Sequence, residues 1–455
     1  MRKKGNGSAV VLILSFMLVV GGALFIYFSS MFERVGPEIS LETNGYWNLK
    51  KPLPLTISDE SGVIAYRVTM ITQEGTTDLH YEKLVTAQNR VSLQVEPPRS
   101  AYSMKDKSVK IVIEAQDTSK WNYFKGNISR KSLDLVVDKK RPQLSIVSNS
   151  YSIARGGSAL VVFKADDANL DALYIEGNHD KKFKPQPFYK DGYYISLVAW
   201  PVIDNDFKAT VVATDRAGNV AKAYVPLYLK EKHYKVSNIK LSDSFLKGKI
   251  ADLAEEFAQT QGIEGSLEQF KIINEDVRAK NEKLIHELAS KVKNEKVNNF
   301  SMNKMYPLKN AQVVAHFGDH RKYFYDGNYI SESYHLGLDL ASNAMAAIKP
   351  QNGGEVVFSD YNGLYGNMPM IAHGLGLYTL YGHCSSVKVA TGDTTLKKET
   401  IANTGKSGYA MGDHLHFGVL VQGIEVRPQE WMDSQWIKLN IDDVIKSAKR
   451  TIDRN

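Results

Sequence analysis

From Gly36 to about Leu229 the chain runs in short stretches of alternating apolar and polar residues broken by turn formers, which restricts this half to sheet structure. Ser108-Val-Lys-Ile-Val-Ile-Glu114 and Ala209-Thr-Val-Val-Ala213 are examples. Strands with one buried and one wet face predict β-sandwiches. A weak internal repeat divides the region. Pro37-Glu-Ile-Ser-Leu41 parallels Pro142-Gln-Leu-Ser-Ile146, Ser58-Asp59 parallels Ala165-Asp166, and Ala115-Gln-Asp117 parallels Ala213-Thr-Asp215. Two copies of one domain, over 35–139 and 140–235, are the economical explanation.

The segment Thr214-Asp-Arg-Ala-Gly-Asn219, followed by an alternating strand, resembles the closing strands of bacterial immunoglobulin-like modules. The resemblance implies two immunoglobulin-like sandwiches serving as spacers or binding surfaces. Nothing in them has the look of catalysis. At 455 residues the chain has room for roughly three folded units.

Arg2, Lys3 and Lys4 precede an almost unbroken apolar run from Ala9 to about Phe28. That run is long enough to cross a bilayer. A cleaved leader would have a shorter apolar core and a small-x-small cleavage site, whereas Leu24-Phe25-Ile26-Tyr27-Phe28 stays bulky. Residues 1–34 are therefore expected to be a cytoplasmic tip and transmembrane anchor. The basic residues ahead of the span hold the N-terminus in the cytoplasm and send the bulk of the chain outside.

After Val236 the periodicity becomes helical: Leu246, Ile250, Leu253 and Phe257 share a face, and Gly262 and Gly265 break it. Ser266-Leu-Glu-Gln269 has the form of a capping box, and Phe270, Ile273, Val277, Leu284, Leu288 and Val292 mark one face of a helix on the order of 40 Å long. Residues 236–299 are expected to form a helical hairpin linker, which in a functional reading lies over the following domain as a gate.

Composition narrows the chemistry. Cys384 is the only cysteine, so an internal disulfide and a thiolate-built zinc site are both excluded. The net charge of +7 is spread over 57 Lys and Arg offset by 50 acidic residues and does not indicate nucleic acid. Seven of the eleven histidines, His316, His320, His335, His373, His383, His414 and His416, fall after residue 300. Tyr334-His-Leu-Gly-Leu-Asp-Leu340 reads as a strand with His335 and Asp339 on one face, and His414-Leu-His-Phe-Gly-Val419 directs His414 and His416 to one face. Two polar faces buried together call for a metal or a dense hydrogen-bond network. Two imidazoles and a carboxylate leave a fourth zinc position open, as a catalytic site requires; iron or copper could accept the same ligands.

The elements Phe317-Gly-Asp-His-Arg321, His335-Leu-Gly-Leu-Asp339, Gly353-Gly354 before Glu355-Val-Val-Phe358, Ala372-His-Gly-Leu-Gly376, Tyr381-Gly-His383, Gly405-Lys-Ser-Gly408 and His414-Leu-His416 occur in that order. In this the last domain, 300–436, resembles the lysostaphin-type (LytM-like) zinc metallopeptidases, cell-wall endopeptidases of bacteria. The resemblance implies an antiparallel β-sheet with a groove over a Zn2+ ion held by His335, Asp339 and His416, and catalytic assistance by His383 and His414. His373 and His320 then read as structural or substrate-facing. Cys384 and Ala346-Ala347-Ile348 depart from the usual pattern and read as packing changes. Residues 437–455 are left as a C-terminal tail.

The whole chain is thus expected to be multidomain and mainly β: a single-pass protein of the inner membrane with its bulk in the periplasm. It would cut peptide crosslinks on peptidoglycan stem peptides, and its immunoglobulin-like domains would meet cell-wall protein partners. The alternatives are a non-catalytic scaffold or activator of other wall hydrolases, and a carboxypeptidase acting on stem peptides.

Overall fold

A computed structural model describes residues 7–454. Arg2, Lys3 and Lys4, on which the expected orientation rests, lie outside the described residues. The chain divides into two compact units, one made of Met1–Pro142, Asn169–Asp171 and Thr214–Val220, the other of Gln143–Ala168, Ala172–Ala213 and Ala221–Asn455.

In the first unit the apolar run forms the helix Gly7–Phe28. Its stretch Ala9–Phe28, of mean hydropathy 2.8, is long and apolar enough to cross a membrane, and none of it is buried in protein. Beyond it lies one connected six-stranded sheet centred on the long strand Leu53–Ile71, which pairs with Glu38–Leu41, Thr76–Val95 and Ser108–Asp117. Alternate residues of these strands, including Leu55, Ile57, Val68, Ile111 and Ile113, form its core. The pairing is irregular between Ser58 and Val63.

The second unit opens with two four-stranded sheets over residues 143–224. Phe163, Ile195, Leu197, Trp200 and Val211 fill their core, and the largely buried strand Ser158–Asp166 is an almost continuous apolar run. The end of the chain is no loose tail. Asp443–Arg454 is a helix whose Val444, Ile445, Ala448 and Ile452 enter the same core.

Glu430 is buried near this core. Its Oε2 accepts from the Ser158 amide at 3.1 Å and Arg427 lies 3.6 Å from its Oε1. Burial outweighs Arg427 and Ser158 and pushes its carboxyl up to about 7 from the usual 4.5. The fold therefore resists ionisation of this group. The contribution of this group to stability is greatest below about pH 4.5, where it is protonated in both states, and is lost as pH rises towards 7, by on the order of 3 kcal/mol at most. Glu430→Gln is expected to flatten that slope, measured as urea midpoints across the same pH window.

The segment between these sheets and the last domain is partly strand. Val236–Lys240 pairs in parallel with His320–Tyr325. Helical residues run through Ser266–Ile272, a π turn Ile273–Val277, and Arg278–Ala289, about 36 Å at the usual rise. The expected capping box does not form. Gly265, at φ 91°, caps the helix with no side-chain bond, and Gln269 Nε2 donates instead to the Ile263 carbonyl. Leu246, Ile250, Phe270, Ile273 and Val277 pack with Tyr323 and Leu364 of the last domain, and Ile285 and Ala289 pack with Tyr365, Met368 and Tyr378.

The last domain is built on an eight-stranded sheet. The Asp339 strand, Leu338–Ala341, and the strand Leu377–Gly382 flank the His416 strand, Leu415–Val421, and all three are antiparallel. Every residue of Leu415–Val421 is buried, which makes this strand a rigid support for a site.

Candidate metal centre and active site

Tyr334–Leu340 is not one strand. Tyr334 ends the strand Asn328–Tyr334, Leu338 begins the Asp339 strand, and His335–Gly337 cross from one sheet to the other. The crossing is fixed by backbone bonds from the His335 amide to the Asp319 carbonyl, 3.0 Å, and from the Gly318 amide to the His335 carbonyl, 2.7 Å. His335 and Asp339 still meet. Asp339 and His416 sit directly opposite in the sheet register, and Gly382 opposes His416 from the other side.

These placements bring three donor atoms together. His335 Nε2 is 3.0 Å from Asp339 Oδ1 and 3.1 Å from His416 Nδ1, and His416 Nδ1 is 2.8 Å from the same oxygen. All three residues are buried. Donors about 2.0–2.2 Å from one tetrahedral ion lie about 3.3 Å apart, so the cluster fits a zinc-sized ion with small adjustment. His335 Nδ1 donates to the His316 carbonyl at 2.9 Å, which leaves the Nε2 lone pair facing the cluster. His416 Nε2 is buried with no hydrogen-bond partner among the described residues, leaving Nδ1 as that ring's bonded atom. Burial opposes ionisation of Asp339, but His335 and His416 overcome it and hold the carboxyl well below its usual range. Burial likewise depresses the His416 ring, which favours the neutral form that a metal ligand requires.

His383 and His414 stand beside this trio. Their ring centroids are 4.9 Å apart, and His414 Nε2 lies 3.7 Å from Asp339 Oδ2. Each uses Nδ1 against a carbonyl, Ser407 at 2.9 Å for His383 and Gly412 at 2.8 Å for His414. With Nδ1 donating in both, both Nε2 atoms are left as acceptors. His383 follows the end of strand Leu377–Gly382 at φ 65°, a left-handed conformation that a non-glycine residue adopts at some cost. Burial, reinforced by His416 and His414, pushes the His383 ring down to about 3 and keeps it neutral.

The other histidines are placed elsewhere. His373 is held by the Gly353 carbonyl at 2.9 Å and Thr379 Oγ1 at 2.8 Å, and His320 stacks on Tyr334 with centroids 4.4 Å apart. His316 contributes a carbonyl rather than its ring, as do Ser407 and Gly412. Backbone partners of this kind have no side-chain signature in a sequence. Cys384 is buried with its thiol pushed up to about 12 by burial, so it packs as an apolar residue and not as a reactive thiol.

A cavity of about 600 Å³ opens over the cluster. Its other wall comes from the preceding segment, through Leu241, Ser242, Phe245 and Arg278, and from Arg321 and Tyr409. Arg278 is engaged by Asn274 at 3.0 and 3.2 Å, whereas Arg321 is held through Nε by Asp319 at 3.4 Å. Neither arginine is marked by spacing as a candidate, because the cluster whose groove it lines is assembled from segments remote in sequence.

Gly337 is where the cluster leaves no room. A Cβ there would lie 2.5 Å from Cε1 and Nε2 of His416. Gly337→Ala is expected to displace that ring and lower metal affinity by roughly ten- to a hundredfold, the range seen when ligand orientation is disturbed, measured by competition with a chromophoric chelator.

An antiparallel sheet carrying a His–Asp–His donor set with two further imidazoles at the floor of a groove is the arrangement of a metallopeptidase. Residues 333–428 match peptidase family M23, and the domain belongs to that family, with the lysostaphin-type enzymes. The DD-carboxypeptidase/endopeptidase Mpg of Neisseria meningitidis is 34% identical over 94 residues, 21% of this chain and 22% of that protein. The murein hydrolase activator EnvC of Escherichia coli is 30% identical over 96 residues, 21% of this chain and 23% of that protein. The chain thus spans about a quarter of the length of these curated relatives. Among solved structures, a putative M23 peptidase from Pseudomonas aeruginosa aligns over 61% of this chain and 94% of its own, with a TM-score of 0.38 and 16% identity.

Proposed function

We propose that this protein is a membrane-anchored zinc endopeptidase that hydrolyses peptide crosslinks of peptidoglycan, with its bulk in the periplasm. The observation that carries the reading is the convergence of His335 Nε2, Asp339 Oδ1 and His416 Nδ1 within 3.1 Å of one another, inside the M23 match. The apolar helix ending at Phe28 supports the anchor, and the β-rich stretch after it is read as two immunoglobulin-like spacers that carry the active domain towards the wall.

His335, Asp339 and His416 would hold zinc, which supplies a Lewis acid to the attacking water and the scissile carbonyl. His383 and His414 present neutral imidazole acceptors on the groove side. One accepts the water proton as the water oxygen bonds to the carbonyl carbon, and the protonated ring returns it to the leaving amine as the C–N bond breaks. While it carries that proton, the ring can also hydrogen-bond the developing oxyanion. Arg321, which lines the groove, suits the free carboxylates that stem peptides carry.

The retained donor set favours hydrolysis over the activator reading. Incubating the full-length protein with purified crosslinked muropeptide dimers tests this. Conversion to monomers is expected. Release of terminal D-alanine alone would make the protein a carboxypeptidase, and dimers left intact unless another hydrolase is added would make it an activator.

A further inference from the structure

The first unit carries an exposed aromatic loop, Trp121-Asn-Tyr-Phe124, flanked by Lys120 and Lys125. Tyr123 is 91% exposed and Phe124 76%. Asn122, Tyr123 and Phe124 lie at φ 50°, 57° and 66°, so three successive non-glycine residues adopt the left-handed conformation. Two large rings presented to water on a strained turn bring a folded soluble domain no benefit.

The turn is held firmly from behind. Buried Asp117 accepts from the Ser119 and Asn127 amides at 3.0 and 2.7 Å and from the Asn127 side chain at 2.8 Å. The same residues grip the chain just past the apolar helix. Ser119 Oγ and Asn127 Nδ2 donate to the Glu33 carbonyl at 2.6 and 3.0 Å, and the Lys120 amide donates to the Met31 carbonyl at 2.7 Å. Arg34 joins the loop to the end of the helix. The Arg34 guanidinium lies 4.4 Å from the Trp121 ring centroid and 5.1 Å from that of Tyr27, which belongs to the last turn of the helix.

We propose that the loop Trp121–Phe124 is a second membrane contact, lying in the interfacial layer of the bilayer beside the end of the spanning helix, with Lys120 and Lys125 placed to meet lipid phosphates. The inference rests on the anchor reading above. If Ala9–Phe28 spans the hydrocarbon core, Tyr27 is at its boundary, and Trp121 is bound to that level through Arg34. Headgroup depth is where Trp and Tyr are most at home, ring in the apolar boundary and polar edge outward. The loop then fixes the first domain against the membrane instead of leaving it to swing on residues 29–35.

The test uses the full-length protein in vesicles of phosphatidylethanolamine and phosphatidylglycerol. Tyr123→Cys, Val85→Cys and Leu18→Cys are each labelled with an environment-sensitive fluorophore; native Cys384 is buried and is spared. All three positions are exposed in the protein, so labelling leaves the core intact. Labels at 18 and 123 are expected to emit to the blue, to be quenched by lipids brominated on the acyl chain, and to be several-fold less accessible to aqueous iodide than the label at 85. If 123 behaves as 85 while 18 stays protected, the loop contact is overturned and the anchor stands. Iodide access at 18 equal to that at 85 would overturn both.

Discussion

Replacing His335, Asp339 or His416 with Ala is expected to remove bound zinc and peptide hydrolysis together. Each contributes one of three atoms that lie within 3.1 Å of one another, and two remaining donors do not retain an ion that a tetrahedral site holds with three protein ligands. Asp339 should be the most damaging loss. Its Oδ1 touches both imidazoles, so Asp339→Ala leaves two buried rings facing one another without the charge that orders them. Zinc content should fall from about one per chain to near zero in all three variants, since ligand loss is loss of binding free energy. Elemental analysis of the purified proteins checks this.

Replacing His383 or His414 should have the opposite signature: zinc stays near one per chain, while turnover falls by roughly a hundred- to ten-thousandfold, the usual worth of general acid–base catalysis. The geometry explains why the two kinds of histidine separate. His416 Nδ1 is 2.8 Å from Asp339 Oδ1, whereas His414 Nε2 stands 3.7 Å from Oδ2 and its Nδ1 is spent on the Gly412 carbonyl. Zinc measured in His414→Ala and His416→Ala decides the matter. Loss in the first with retention in the second would mean that the two histidines of His414-Leu-His416 have exchanged roles.

Much of the candidate site was legible because it is written in short-range pattern. The alternation around His416 gives a strand, and a strand places His414 and His416 on one side whatever the rest of the chain does. His335 and Asp339 also meet as their spacing suggests, but by another route. The local alternation reads as one strand, while the backbone bonds of His335 to Asp319 and Gly318 break it and pass the chain between sheets. Those partners are remote in sequence and carry no periodicity. The same limit applies to Ser266-Leu-Glu-Gln269, where the spacing of a capping box is present but Gly265 takes the cap, and to Asp443–Arg454, whose apolar face is short and belongs to a core assembled about 300 residues earlier.

The helical segment shows how packing changes a functional reading. Its position before the active domain suggests a gate. Leu241, Ser242, Phe245 and Arg278 do form a wall of the cavity. Yet Phe270, Ile273 and Val277 are fully buried against Tyr323 and Leu364, and Val236–Lys240 is hydrogen-bonded into a sheet with His320–Tyr325. The segment is thus packed onto the domain whose groove it lines.

Digestion of purified sacculi in heavy-oxygen water measures directly whether this chain hydrolyses peptide crosslinks at a His335–Asp339–His416 zinc centre. With zinc and the full-length protein, mass spectrometry should find crosslinked peptides converted to monomers, with heavy oxygen in the newly formed carboxyl group and glycan chain length unchanged. The His416→Ala protein should give none of these products. Crosslinks left intact by the zinc-loaded protein, or the same labelled products from His416→Ala, would rule out hydrolysis at this centre.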